Sequence, residues 1–230
     1  MANFRTHLAV ATVGSALASA TLLGAGIVSP WQAVALWAVG SAGGIMPDID
    51  ADKSEAVETI FTGLGLALSL AMMVYFAGRR STLELWITGV LTYVALRYYV
   101  LRAFYKFTHH RGIFHSAVTG VFFWFVVTAI TYHILHLNAQ MSWGLGAFVF
   151  FGFVIHLTLD EVYSVDLENH DLKKSFGTAL KLVDYHNLKT SGAMALAVLV
   201  MFFGTPSLSA FTEVVFRAQT YHDIFSNIVP

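Results

Sequence analysis

Trp143–Tyr163 reads WGLGAFVFFGFVIHLTLDEVY, and its first 17 residues contain no Lys, Arg, Asp or Glu. A helical run of that kind can cross the roughly 30 Å hydrocarbon core of a bilayer. The whole chain agrees with this setting. Of its 230 residues 57% are hydrophobic and 12% charged, and the mean hydropathy is +0.66. Such a composition excludes the soluble classes and predicts an all-α fold, a polytopic membrane helix bundle. His156 and Asp160 fall in the last two turns of the quoted run. An ionisable pair is costly there, so its first reading is functional.

Working outward, Leu8–Val28, Val57–Ala77, Leu83–Ala103, Ile113–Leu135 and roughly Gly192–Phe211 are apolar over similar lengths. Trp31–Met46 is shorter but uncharged, with Gly40 and Gly44 at a spacing that lets helix backbones approach closely. Counting it, about seven transmembrane helices are expected. They form a single domain over residues 1–211, followed by a short C-terminal tail at 212–230. Ser29-Pro30, Gly78–Ser81, Arg111-Gly112 and Leu137–Ser142 supply the turns. Arg5 followed by an apolar stretch and Ala18-Ser19-Ala20 also fits a cleaved secretory signal. The 21 residues of Leu8–Val28 exceed an h-region of roughly 7–15, however, and a retained first helix is preferred. Asp166–Lys189 is the one long polar connection. Within it Leu172, Phe176, Ala179, Leu180 and Val183 recur at helical spacing, which predicts an interfacial amphipathic helix over 172–183; an ordinary polar loop is the alternative.

Tracing seven spans back and forth brings His7, Asp48, His110, His115, His156 and Asp160 to one membrane face. Arg5, Lys53, Arg97, Arg102, Lys106, Arg111, Lys173, Lys174, Lys181 and Lys189 lie on that side; Arg79, Arg80 and Arg217 lie on the other. The positive-inside rule then turns the candidate site toward the cytoplasm. There is no basic domain, so no nucleic-acid partner is expected. With no cysteine, disulfides and thiolate ligands are excluded.

His and Asp without Cys form the ligand set of a hydrolytic metal site. His156 and Asp160, four apart on a helix, share one face and can grip one ion; a structural Asp–His hydrogen bond is the plainer reading. Asp48, Asp50 and Asp52 alternate after Pro47, and three carboxylates so close repel one another unless a cation lies between them. Asp48 and Asp50 are the better ligands. Asp52 stands behind them as a helper of the chemistry or is simply solvated, and a solvated acidic turn would explain all three. His110-Arg111-Gly112 and His115-Ser116 pack two imidazoles and a guanidinium into a helix–helix turn. Arg111 suits a phosphate or carboxylate, gripped bidentately, whereas histidines at an interface can also be plain surface groups. His7 stands at the mouth of the first span, on the same side. His109 is an alternative to His110, His133 and His136 read as interfacial, and His170 and His186 are left as substrate contacts.

Thr6-His7, Pro47-Asp48-Ile49-Asp50, His110–Ser116 and the later His156–Asp160 together resemble the YdjM-type family of bacterial inner-membrane, metal-dependent hydrolases. The resemblance covers about residues 1–190. It implies a multi-pass protein of the bacterial inner membrane and a hydrolytic activity whose substrate the family leaves undefined. The order of His, Asp and H-x-x-x-D is also distantly similar to zinc phospholipase C and related nucleases.

His7, Asp48, Asp50, His110, His115, His156 and Asp160 are seven potential ligands. One catalytic zinc takes about three plus water, so two divalent ions are expected, zinc first, with manganese or iron suiting the same donors. A two-metal site clamps the attacking and leaving oxygens of a displacement. With Arg111 beside it, the expected substrate is a phosphoester on a lipid or membrane-associated molecule, and the bilayer is the expected partner. A metal or proton-coupled transporter is the rival from another class, though its site is expected near the midplane between repeated halves. A non-catalytic protein whose metal staples the helices is the third reading. Oligomeric state is not encoded in any motif of the chain.

Overall fold

The computed structural model describes residues 3–50, 55–102, 114–166, 171–172, 181–183, 185 and 187–228. They are helical throughout except for loops and one short ladder, in which Val165–Asp166 pairs antiparallel with Asp171–Leu172. The chain divides into two compact units. One holds Met1–Pro47 and Gly112–Pro230, the other Asp48–Arg111.

The first unit is built from α1 (Phe4–Gly24), α2 (Pro30–Gly43), α5 (Ala117–His133), α6 (Ala139–Val162), α7 (Leu188–Phe203), α8 (Ser209–Val215) and α9 (Ala218–Ile228). Their starts are written in the local sequence. Asn3 caps α1, its Oδ1 accepting from the Thr6 amide at 2.9 Å. Ser29 and Gln32 close a capping box around Pro30 at the head of α2. Asn138 caps α6, accepting from the Met141 amide at 2.8 Å. Helix α5 starts at Ser116 without a side-chain cap. The Ala117 and Val118 amides donate instead to the carbonyls of Lys181 and Leu182, at 3.0 and 3.1 Å, so a distant loop satisfies this helix end.

Helix α6 is the hub, packing against α1, α2 and α5; α7 packs on α5, α8 on α6 and α9 on α1. More than half of its apolar stretch is buried, 56% against 22% for α1. Small residues make the approach possible. A Cβ on Gly152 of α6 would strike the Gly40 carbonyl oxygen of α2, and one on Gly44 would strike the Ala11 methyl of α1. The expected pairing through Gly40 and Gly44 is therefore present, with α1 and α6 as the partners. Because the clash at Gly152 is with backbone, no rotamer relieves it. Gly152→Val is expected to destabilise the protein by about 1–3 kcal/mol, the usual cost of overpacking. Gly144→Ala, whose added methyl meets only Leu36 at 3.6 Å, should leave the melting temperature in detergent almost unchanged.

An aromatic seam closes the other side of α6. Trp124 stacks on Phe150 with ring centroids 5.4 Å apart, and Trp143 and Phe211 meet Trp124 edge-on. His133, expected to be interfacial, ties α5 to the turn after α7 by donating from Nε2 to the Gly204 carbonyl at 2.9 Å.

The second unit pairs α3 (Glu55–Phe76) with α4 (Thr82–Val94), which continues into a π-helical turn at Ala95–Val100. Glu84 and Ser81 form the capping box of α4, after a turn with Gly78 at φ +75°. Ser69 donates to the Gly89 carbonyl at 2.7 Å, and Arg97 pairs with Glu58 at 2.8 Å. Val57, Phe61 and Leu101 form its buried cluster.

Among the described residues three helices are long and apolar enough to cross a membrane: α1, α3 over Val57–Phe76, and α6. Helices α5 and α7 are apolar but shorter. Helix α2 has 14 residues, about 21 Å of rise and short of the hydrocarbon thickness. Leu64, Leu66, Leu68 and Leu70 of α3 are all exposed, an apolar surface suited to lipid.

At 172–183 the centre of the expected interfacial helix lies outside the described residues, and its described ends are not helical: Leu172 is in the ladder and 182–183 form a bend. Leu172 serves the ladder, and the Lys181 and Leu182 carbonyls serve the start of α5. Residues 212–230, expected to be a short C-terminal tail, contain the end of α8 and all of α9, whose Tyr221, Ile224 and Phe225 recur at helical spacing.

Candidate metal centre

The turn-by-turn geometry of α6 places His156 and Asp160 on one face, both fully or almost fully buried. His7 comes from the first turn of α1 and is also buried, 1% exposed. Its Nε2 lies 3.2 Å from Asp160 Oδ1. His156 Nε2 lies 3.5 Å from Asp160 Oδ2, and His115 Nε2, just before α5, lies 3.7 Å from the same oxygen. One carboxylate thus faces three imidazoles drawn from three distant segments. The rings of His7 and His156 are stacked, 3.6 Å between centroids with 12° between planes, and His115 meets His156 nearly edge-on at 5.6 Å. Ligand atoms of His7, His156 and Asp160 all lie within 4.8 Å of one another.

The tautomer of His156 follows from its other nitrogen. Nδ1 is 2.8 Å from the Gly44 carbonyl, and a carbonyl can only accept, so Nδ1 carries the proton. In the neutral ring Nε2 then holds a lone pair toward the cluster. A backbone carbonyl orienting a histidine in this way is the usual outer-shell partner of a metal ligand. His7 Nδ1 is buried and has no hydrogen-bond partner among the described residues. A buried polar atom left in that condition costs free energy, and a cation close to the ring is one resolution. The donor set, neutral imidazoles plus a carboxylate, fits zinc, manganese or iron.

Exposure is uneven. His115 is the member that reaches solvent, its side chain 18% exposed against 1% or less for His7, His156 and Asp160. Access therefore runs from the start of α5. Ser116 next to it is buried, its hydroxyl 3.2 Å from that of Thr119.

Of the seven residues expected to be ligands, four lie in the first unit and come together there: His7, His115, His156 and Asp160. Asp48 and Asp50 lie in the 3₁₀ turn Met46–Asp50, in the second unit. His110, Arg111 and Asp52, with His109, lie outside the described residues, as do His170 and His186. The Gly44 carbonyl had no signal in the sequence beyond the small-residue spacing, since backbone groups carry no residue type.

The model of the YdjM inner membrane protein family matches residues 1–168, a span that contains all seven of these residues, as well as Arg111 and Asp52. No curated protein and no solved structure matches the chain.

Proposed function

We propose that this chain, which belongs to the YdjM inner membrane protein family, is a metal-dependent hydrolase acting at a membrane face. The observation that carries the reading is the convergence of His7, His156 and Asp160, buried, with ligand atoms within 4.8 Å of one another. Three buried polar groups from two helices, joined at their exposed edge by His115, are more than a lone Asp–His contact requires. In this reading His7, His156 and Asp160 hold the first ion with His115 at the open side. Asp48, Asp50 and His110 are offered to a second one. Bound there, a divalent ion supplies a Lewis acid to a substrate oxygen.

The protein's own groups do the rest. The Gly44 carbonyl fixes His156 in one tautomer, and Asp160 holds its carboxylate toward all three rings. Burial of this set keeps bulk water from competing for the carboxylate, and the His115 side admits substrate. Arg111, four residues before His115, is proposed to grip a phosphoryl group, so a phosphoester of a lipid or membrane-associated molecule is the favoured substrate. The excess of Lys and Arg on the predicted ligand side supports a cytoplasmic orientation.

A transporter would use similar residues, but the cluster occupies the final turns of α6 and not its middle, which favours an enzyme over a midplane ion site. The deciding experiment measures release of phosphate or headgroup from phospholipids and lipid-linked phosphates by purified protein in detergent, with and without chelator. Turnover abolished by chelator and restored by zinc or manganese is expected. Metal flux in proteoliposomes, with no chelator-sensitive turnover on any substrate, would reassign the centre to transport.

A further inference from the structure

At the opposite end of the first unit is a cavity of about 370 Å³. Leu36, Met141, Phe148, Phe211, Val215 and Ile224 are among the residues that line it, so its wall comes from α2, α6, α8 and α9. The space exists because α6 carries Gly144 and Ala147 at this level, and the Cβ position of Gly144 has no neighbour closer than 3.6 Å. Gln140 at this end and Asp160 at the other are 20 residues apart on one helix, about 30 Å. The cavity is therefore separate from the His/Asp cluster.

A second concavity of about 680 Å³, with polar and apolar lining in equal measure, adjoins it, and Ile27, Gln140, Val214 and Thr220 line both. Its rim carries Arg217, Glu213 and Asp223. Among the described residues neither Arg217 nor Glu213 has an ion-pair partner, while Asp223 accepts from Gln219 at 2.6 Å and lies 3.7 Å from His222 Nδ1. An apolar chamber of small-molecule size thus opens onto a rim bearing both signs of charge.

We infer that this end of the molecule binds a zwitterionic phospholipid, with one acyl chain in the cavity, its phosphate at Arg217 and its amine at Glu213 and Asp223. The charge pattern selects the headgroup. A purely anionic headgroup would satisfy Arg217 but face two carboxylates, and a cationic one would face the guanidinium. The volume selects one chain rather than a whole diacyl lipid. Helix α9, with Tyr221 and Ile224 turned to the cavity and Asp223 to the rim, is the element that joins the two parts.

The test uses the full chain in detergent and native mass spectrometry, titrating lysophosphatidylethanolamine and lysophosphatidylglycerol of equal chain length. One lysophosphatidylethanolamine per chain is expected, bound about tenfold or more tighter than the glycerol form. Arg217→Ala should weaken the ethanolamine form by about 10–100-fold, the range for losing a charge-assisted contact. Glu213→Gln should narrow the preference by raising binding of the glycerol form. Gly144→Leu fills the cavity and should abolish binding of both, with thermal unfolding as its folding control. Should it fail to fold, the two rim variants decide alone. Equal binding of the two lipids, or binding indifferent to Arg217, would show only non-selective lipid association and overturn the inference.

Discussion

Asp160→Ala is expected to empty the metal centre. The carboxylate lies within 3.7 Å of all three imidazoles, so its loss removes a ligand and the feature that orients the rest. Losing even an outer-shell partner of a metal site costs about 10–100-fold in affinity, so a direct ligand should cost at least about 100-fold. Elemental analysis of purified protein should then find less than about a tenth of the wild-type metal, with chelator-sensitive turnover falling in parallel. Asp160→Asn separates this from a purely structural Asp–His network. The amide keeps the shape and much of the hydrogen bonding, so a structural network would survive with modest loss of stability, while a metal centre would still lose its anionic ligand. The control is His136, exposed and in the left-handed region at φ 53°. His136→Asn suits that backbone and should retain full metal. Wild-type metal content in both Asp160 variants would remove the centre.

The parts of this centre that could be read in the sequence are those set by helix periodicity. His156 and Asp160 are four apart in an apolar run, and α-helical geometry alone puts them on one face. His7 and His115 were reachable through the back-and-forth trace of spans and through the motifs Thr6-His7 and His110–Ser116, and the structure brings both to Asp160. The membrane class was legible in the same way, because runs such as Val57–Ala77 need only composition. Lengths were less legible. Helix α2 ends at Gly43 where its small residues meet α1 and α6, and an apolar run does not encode where packing stops a helix. The polar stretch at 212–230 hid α8 and α9 because short amphipathic helices are made by the surface they cover. The Gly44 carbonyl was invisible for a simpler reason: an acceptor on the backbone leaves no letter in the sequence. Nor does a stripe of lysines and apolar residues at 172–183 say whether its carbonyls will be recruited elsewhere, as those of Lys181 and Leu182 are by the start of α5.

Arg111 carries the second large expected effect. In the sequence HRGIFHS it stands four residues before His115, the member of the cluster that reaches solvent, and Gly112 permits the chain to turn tightly there. A guanidinium so placed is not a metal ligand, because it holds no lone pair to give. Its contribution under the proposed reaction is to donate to phosphoryl oxygens as charge builds on them. Arg111→Ala should therefore keep its metal and lose activity by about 10²–10³-fold, roughly 2.7–4 kcal/mol, as when one oxyanion-stabilising donor is removed. Arg111→Lys should recover only part, since a compact ammonium cannot reproduce two parallel hydrogen bonds. The loss should appear in kcat more than in KM if the contact tightens in the transition state, and in both if it merely binds substrate. Steady-state kinetics with elemental analysis on the same preparations separates these cases. An Arg111→Ala protein with full metal and unchanged turnover would leave the hydrolytic centre standing and withdraw the phosphoester from it. In that event amide or ester substrates would be the next to assay, since the His/Asp donor set serves those reactions equally well.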